Sequence, residues 1–249
     1  MITASIVSHG HGEMVNQLIQ QLLVCPEIEQ IILTRNIPEQ VAPPLHAKLE
    51  LIENSTPAGF GANHNAAFLR CTQPFFCVIN PDISLSDDPF PDLLAVFTAH
   101  GVALSAPLVI NPEGGVEDSI RHFPTPCSLL AKALMRTDGR YQITPEQEPF
   151  CPEWVAGMFM LFDSAKFRVI GGFDTVFFLY YEDVDICTRF WKSRHKIVVC
   201  PSTQVIHAAR RESHRNWRFL RWHITSMLRY FCKHLGRLPN TQAVSSCTS

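Results

Sequence analysis

The chain has 249 residues, of which 46% are hydrophobic, 10% aromatic and 18% charged. That apolar share excludes a disordered or collagen-like chain, and the length suits one large α/β domain or two small ones. The formal charge of −2 argues against a polyanion binder as a whole, yet it is unevenly spread: residues 207–240 carry +7 and residues 1–206 carry −9.

The nine cysteines are odd in number and none forms a C-x-x-C pair, which speaks against a zinc ribbon or a thioredoxin-type site. The first residues lack a basic region followed by a long apolar run, and no stretch nears about 18 uninterrupted apolar residues. The expected setting is reducing and cytoplasmic, with the cysteines serving as small buried hydrophobes.

Taken in chain order, the first half alternates strand and helix signals. Ile2–Val7 is an apolar run ending at Ser8-His9-Gly10-His11-Gly12. Val15, Leu18, Ile19, Leu22 and Leu23 follow with the one-sided spacing of an amphipathic helix. Ile31–Leu33, Leu49–Ile52 and Phe75–Ile79 read as buried strands, and Ala62–Arg70 as a helix. Such alternation over short loops predicts an α/β fold with a mostly parallel sheet covered on both faces.

Beyond residue 106 the chain is punctuated by Pro107, Pro112, Pro124, Pro126, Pro145, Pro149 and Pro152. Val155–Phe162 predicts a core strand, Ile186–Lys192 a helix, and Ile197–Cys200 a last short strand stopped by Pro201. Residues 212–235 predict a long helix: Trp217, Leu220, Ile224, Leu228, Phe231 and Leu235 fall near one stripe, with Arg211, Arg215, Arg218, Arg229 and Lys233 mostly elsewhere. The last residues, 241–249, read as a loose uncharged tail.

Two clusters stand where chemistry is expected. Asn80-Pro81-Asp82 follows a strand directly, at the strand end where open parallel sheets bind ligands, although three such residues also describe a plain turn. Tyr180-Tyr181-Glu182-Asp183-Val184-Asp185 packs three carboxylates beside aromatic residues, where desolvation raises a carboxylate toward a base's working range. On a helix, the 100° step puts Glu182 and Asp185 on one face and turns Asp183 away; acids at a helix start also simply complement its dipole. A functional role for His207 requires a carboxylate partner such as Asp82. Gly59-Phe60-Gly61-Ala62-Asn63-His64-Asn65 lacks the third glycine of a dinucleotide fingerprint, so it reads equally as a phosphate-facing turn or a packing turn.

Together these segments resemble the family 2 glycosyltransferases, within them the rhamnosyltransferase-like group. The likeness runs over roughly residues 2–235, through Ser5-Ile6-Val7, residues 54–65, Asn80-Pro81-Asp82, Glu153-Trp154-Val155-Ala156-Gly157, Gly171-Gly172-Phe173-Asp174, residues 177–185, Pro201 and Val205-Ile206-His207. It implies a GT-A fold, a nucleotide-diphosphate sugar donor, a divalent cation (Mg²⁺ or Mn²⁺) and inversion at the sugar carbon. By the same resemblance Asp82 and His207 would hold the metal and Asp183 would be the general base. Ser8, Asn36, Gly59, Phe60, Gly61, Asn65, Asn80 and Asp82 would bind the donor, and Trp154 and Glu182 the acceptor.

Arg35-Asn36 stands where many relatives carry Asp-Asn with a base-reading aspartate, and Ser8–Gly12 replaces a Thr-Tyr-Asn-like segment. Thymidine-diphosphate rhamnose is the donor the resemblance favours, with a glycan or lipid-linked saccharide as acceptor. The implied organisation is a transferase domain over 1–207, with a donor half (1–110) and an acceptor half (111–207), then a basic amphipathic helix over 208–240 and the tail. That helix either lies on an anionic membrane at the inner face of the cell membrane or packs on the domain. No nucleic-acid motif accompanies its charge. The competing readings are a non-catalytic glycan- or partner-binding relative, which Arg35 favours, and a sugar nucleotidyltransferase.

Overall fold

The computed structural model describes residues 1–126, 128, 139–208, 217–234, 237–239 and 241, without the side chain of Arg218. The expected start of the last helix, its Arg211, Arg215 and Leu235, and all of the tail but one residue lie outside the described residues.

The strands are β1 (Ile2–Ser8), β2 (Ile28–Arg35), β3 (Leu49–Glu53), β4 (Phe75–Ile79), β5 (Ile83–Ser84), β6 (Val102–Ile110), β7 (Ile120–Arg121), β8 (Trp154–Val155), β9 (Phe159–Asp163) and β10 (Lys196–His207). The helices are α1 (Glu13–Leu23), α2 (Phe60–Phe68), α3 (Phe90–Ala95), α4 (Ser164–Val169), α5 (Glu182–Lys192) and α6 (Trp217–His234). One eight-stranded sheet has the order β3-β2-β1-β4-β9-β6-β10-β5, and β7 pairs with β8 apart from it. β3, β2, β1 and β4 run parallel, as do β6 and β10; β9 runs against both of its neighbours. The sheet is therefore mostly parallel, as expected, with one reversed strand at its centre.

Residues alternate across the sheet because successive side chains on a strand point to opposite faces. On β4, Cys77 and Ile79 join α1's Leu18, Ile19 and Leu22 in one core. Phe76 and Val78 enter the other, built around Phe162, Phe167, Phe173, Phe190 and Tyr230. Both faces are thus covered, which explains why these strands read as continuous apolar runs.

Three expectations need correction. β10 does not stop at Pro201 but runs on to His207, because its register against β6 shifts between Cys200 and Gln204. Proline lacks an N–H, and at such an irregularity the missing ladder bond is tolerated. Val155–Phe162 is two strands rather than one, split by the turn at 156–158. Cys151 is disulfide-bonded and so departs from the expected set of reduced thiols. By contrast Cys25, Cys77, Cys187 and Cys200 are free and buried, as expected. Among the described residues no helix is long and apolar enough to cross a membrane.

Candidate active site

The carboxyl ends of β1 and β4 open at one edge of the sheet, and the reversed β9 starts there. Asn80 follows β4, and its amide donates to the carbonyl of Met158, just ahead of β9, at 2.9 Å. In the same turn the Gly157 amide donates to Asp183 Oδ2 at 3.1 Å. A single three-residue turn therefore ties Asn80-Pro81-Asp82 to the start of α5.

β5 pairs with the end of β10, His207 opposite Ile83, which sets Asp82 beside His207. His207 Nε2 lies 3.2 Å from Asp82 Oδ2, and the Ala208 amide donates to the Asp82 carbonyl at 2.9 Å. Burial alone would lower the imidazole's pKa, but the hydrogen bond and charge of Asp82, with the charge of Glu117, raise it overall. Asp82 Oδ1 and His207 Nδ1 are buried and, among the described residues, have no hydrogen-bond partner. A carboxylate oxygen and an imidazole nitrogen left without partners are atom types that ligate divalent cations. No group of three or more His, Cys, Asp or Glu side chains gathers among the described residues.

Glu182 and Asp183 open α5. Asp183 Oδ1 also accepts from the Val184 amide at 2.8 Å. Burial raises the Asp183 pKa, and the amides of Val184 and Gly157 only partly offset it. Glu182 is raised well above the usual carboxylate range, first by burial and then by the charge of Asp183, and its Oε2 has no partner among the described residues. Asp185, one turn deeper, is instead held down at about 2. Despite its burial it accepts from Arg189 Nε (2.7 Å), Lys233 Nζ (2.7 Å) and His234 Nε2 (2.8 Å). Asp185 therefore fastens α6 to α5, and the acid pair left for chemistry is Glu182-Asp183.

The loop leading into α5 is unusual. Tyr180 and Tyr181 both have φ of 68°, a left-handed conformation that non-glycine residues adopt at some cost and that must be enforced by surroundings. Here Phe178's carbonyl accepts from the Phe60 amide at 2.9 Å, Leu179's carbonyl from Ser226 Oγ at 2.9 Å, and Val176's from Arg229 at 2.5 Å. The His223 ring sits against both tyrosines at 5.4 and 5.5 Å. α2 on one side and α6 on the other thus clasp the segment that aims Asp183.

The Gly59-Phe60-Gly61 turn forms the first half of that clasp. A Cβ on Gly59 would fall 2.6 Å from the Phe178 carbonyl oxygen, and one on Gly61 2.6 Å from Phe173 Cβ. The Phe60 amide is already bonded to Phe178, so close packing accounts for both glycines. Gly59→Ala is expected to destabilise the protein by about 1–3 kcal/mol in a urea titration, since backbone rather than a pliable side chain stands in the way.

Other residues expected to bind donor or acceptor hydrogen-bond within the protein. Asn65 bonds the Phe173 backbone twice, at 2.7 and 2.9 Å, and so pins Gly172-Phe173. Asn36 accepts from Asn54 and the Ala58 amide, both at 2.8 Å, and donates to the Ala58 carbonyl at 2.9 Å. Ser8 is buried at the end of β1, and its hydroxyl accepts from the His11 amide. Trp154 donates from its indole N–H to the His122 carbonyl at 2.9 Å.

Glu39 escaped the sequence reading. Its carboxylate accepts from the amides of Gly10 (3.0 Å) and Gly12 (3.3 Å) and shapes the Ser8–Gly12 loop. Burial opposes ionisation there, but bonds from Ser8 and the two amides, with Arg35 nearby, lower its pKa overall. Two close glycines able to present converging amides were the available signal. Arg35 itself is paired with Glu53 at 3.2 Å and donates to the Val41 carbonyl.

No protein-family model matches the chain. It is 26% identical over 248 residues to the rhamnosyltransferase WbbL of Escherichia coli K12, covering 94% of this chain and 93% of that protein. It is 28% identical over 168 residues to the N-acetylglucosaminyl-diphospho-decaprenol L-rhamnosyltransferase of Mycobacterium tuberculosis, covering 62% of this chain and about half (53%) of that one. Among solved structures, GalNAc-T7 crystallised with UDP, GalNAc and Mn²⁺ superposes with a TM-score of 0.65 at 14% identity, over 87% of this chain and 44% of that one. The chain has the fold of the GT-A glycosyltransferases, and the curated proteins it resembles in sequence are rhamnosyltransferases and another hexosyltransferase.

Proposed function

We propose that the chain is an inverting glycosyltransferase that moves a sugar from a nucleotide-diphosphate donor to a hydroxyl of a cell-surface glycan or lipid-linked saccharide. L-Rhamnose carried on thymidine diphosphate is the favoured donor. The observation that carries this reading is the turn at 156–158, which binds the Asp82 segment and Asp183 to one scaffold. Inverting transfer needs one site for the departing diphosphate and one base for the attacking hydroxyl. A glycosidase would need a second carboxyl as acid on the leaving group.

In this reading Asp82 and His207 would hold Mg²⁺ or Mn²⁺, which would supply Lewis acidity to charge growing on the diphosphate. Asp183, raised by burial and steadied by two amides, takes the proton of the acceptor hydroxyl. Glu182, raised by burial and by the charge of Asp183, would contact an acceptor oxygen, with Trp154 as a further acceptor-binding residue. Asn80 lies on the donor side, and the Ser8–Gly12 loop with Glu39 borders it. Lipid-linked acceptors place the enzyme at the inner face of the cell membrane. The non-catalytic reading rested on Arg35, whose guanidinium is bonded to Glu53 and to the Val41 carbonyl.

Thermal unfolding with dTDP-rhamnose and Mn²⁺ tests the reading. Donor at 100–1,000 times its Kd stabilises by about 3–4 kcal/mol, and Asp82→Asn is expected to lose most of that gain while unfolding normally without ligand. A wild-type protein that no sugar nucleotide stabilises would favour a non-catalytic relative.

A further inference from the structure

The apolar stripe legible in residues 217–228 is not the face by which α6 packs. The packed face carries Ser226, Tyr230 and His234, all buried; Tyr230 bonds Thr188 at 2.9 Å and His234 bonds Asp185. On the outward face Trp217 is 76% exposed, Leu220 48%, Ile224 43% and Leu228 56%. Spacings of three, four and four residues align them into one ridge along the helix. A ridge of four large apolar side chains on a well-packed helix calls for a covering partner.

The charge pattern identifies that partner. Residues 217–234 contain no Asp or Glu; of their cations, Arg229 bonds the Val176 carbonyl and Lys233 pairs with Asp174 and Asp185 on the inner side. Arg221 lies beside the ridge and is exposed. A second copy of the same face would set like charges against each other. An acidic lipid surface is complementary to Arg221, while its acyl region accepts the ridge, and tryptophan favours the boundary between the two.

We infer that the outer face of α6 docks the enzyme on an anionic phospholipid bilayer, with Trp217, Leu220, Ile224 and Leu228 inserted and Arg221 among the headgroups. The inner face of the same helix grips the loop leading to Glu182-Asp183 through Ser226, Arg229 and His223. Docking therefore holds the base about one helix diameter, roughly 10 Å, from the lipid surface. The inference rests on the proposed function for its purpose, since that height suits a saccharide carried on a membrane lipid.

The test is co-sedimentation of the full chain with vesicles of phosphatidylglycerol and phosphatidylcholine, against vesicles of phosphatidylcholine alone. No donor or acceptor is present, so vesicle binding stands or falls apart from transfer activity. Binding to anionic vesicles is expected, weakening at 0.5 M salt. Leu220→Glu/Ile224→Glu/Leu228→Glu is expected to reduce it at least tenfold, and Arg221→Glu alone to reduce it measurably. Both variants should keep the wild-type unfolding midpoint, because the altered side chains face outward; Arg221→Glu supplies the result if the triple variant fails to fold. Wild-type protein that stays in the supernatant with anionic vesicles would overturn the inference. So would variants that bind as well as the parent, or a wild-type dimer that the triple variant converts to monomer.

Discussion

Asp183→Asn is expected to lower kcat for sugar transfer by about 10²–10⁴-fold, the range a positioned general base contributes, while donor binding is kept. Asparagine preserves shape and one acceptor for the neighbouring amides but takes no proton. Rates in wild-type protein should also fall with acid, because only ionised Asp183 is a base. Burial lifts its pKa, so the midpoint of that fall lies above the 3.8 of an ordinary aspartate, and activity is lost as pH drops through it. Steady-state kinetics across pH, with a thermal midpoint as folding control, check both statements. Retained turnover in the variant would remove Asp183 from the role of base.

Asp185→Ala carries the largest expected change in stability, about 3 kcal/mol, or on the order of 10 °C in unfolding midpoint for a chain of this size. Its carboxylate has no exposed surface, and the change removes the acid that Arg189, Lys233 and His234 share at the α5–α6 junction, leaving Lys233 with Asp174 and Arg189 with the carbonyls of Ile170 and Gly172. His234 also contacts Lys192 Nζ at 2.7 Å, which concentrates positive charge further once the acid is gone. In the wild type the folded pKa of about 2 lies below the unfolded value. This stabilisation, about 2 kcal/mol, is therefore complete above the unfolded pKa of ~4 and lost as pH falls toward 2. Calorimetry at neutral and acid pH should show the variant's deficit shrinking over that window.

The contrast between these two aspartates shows what the sequence made legible. Three acids in four residues marked the site, and Asn80-Pro81-Asp82 marked a strand end, since both signals are local. Helical spacing paired Glu182 with Asp185, yet nothing local separates a carboxylate meant for chemistry from one meant for a brace. Asp185's partners Lys233 and His234 stand 48 and 49 residues later. Asn65 is likewise committed by Phe173, 108 residues on. β1, β2, β4 and α1 were readable because their apolar runs bury, whereas β3, expected as a buried strand, lies at the sheet's edge with no residue fully buried; β6 was missed because Pro107 reads as a breaker. Pro107 faces Cys200 at the edge of the β10 irregularity, where ladder bonding is already interrupted.

The reversed central strand governs the order in which such a chain can be built. β4 pairs on one side with β1, but on the other only with β9, Phe75 lying opposite Asp163. During synthesis the first half therefore emerges with β4 as a bare edge, open to wrong pairing until residue 163 has followed. The turn at 156–158 that joins the two halves of the candidate site arrives with β9, so closure of the sheet and assembly of that site are one late event. Such long-range pairing makes folding slow compared with a chain of local contacts, and makes the growing N-terminal half a natural client for chaperones.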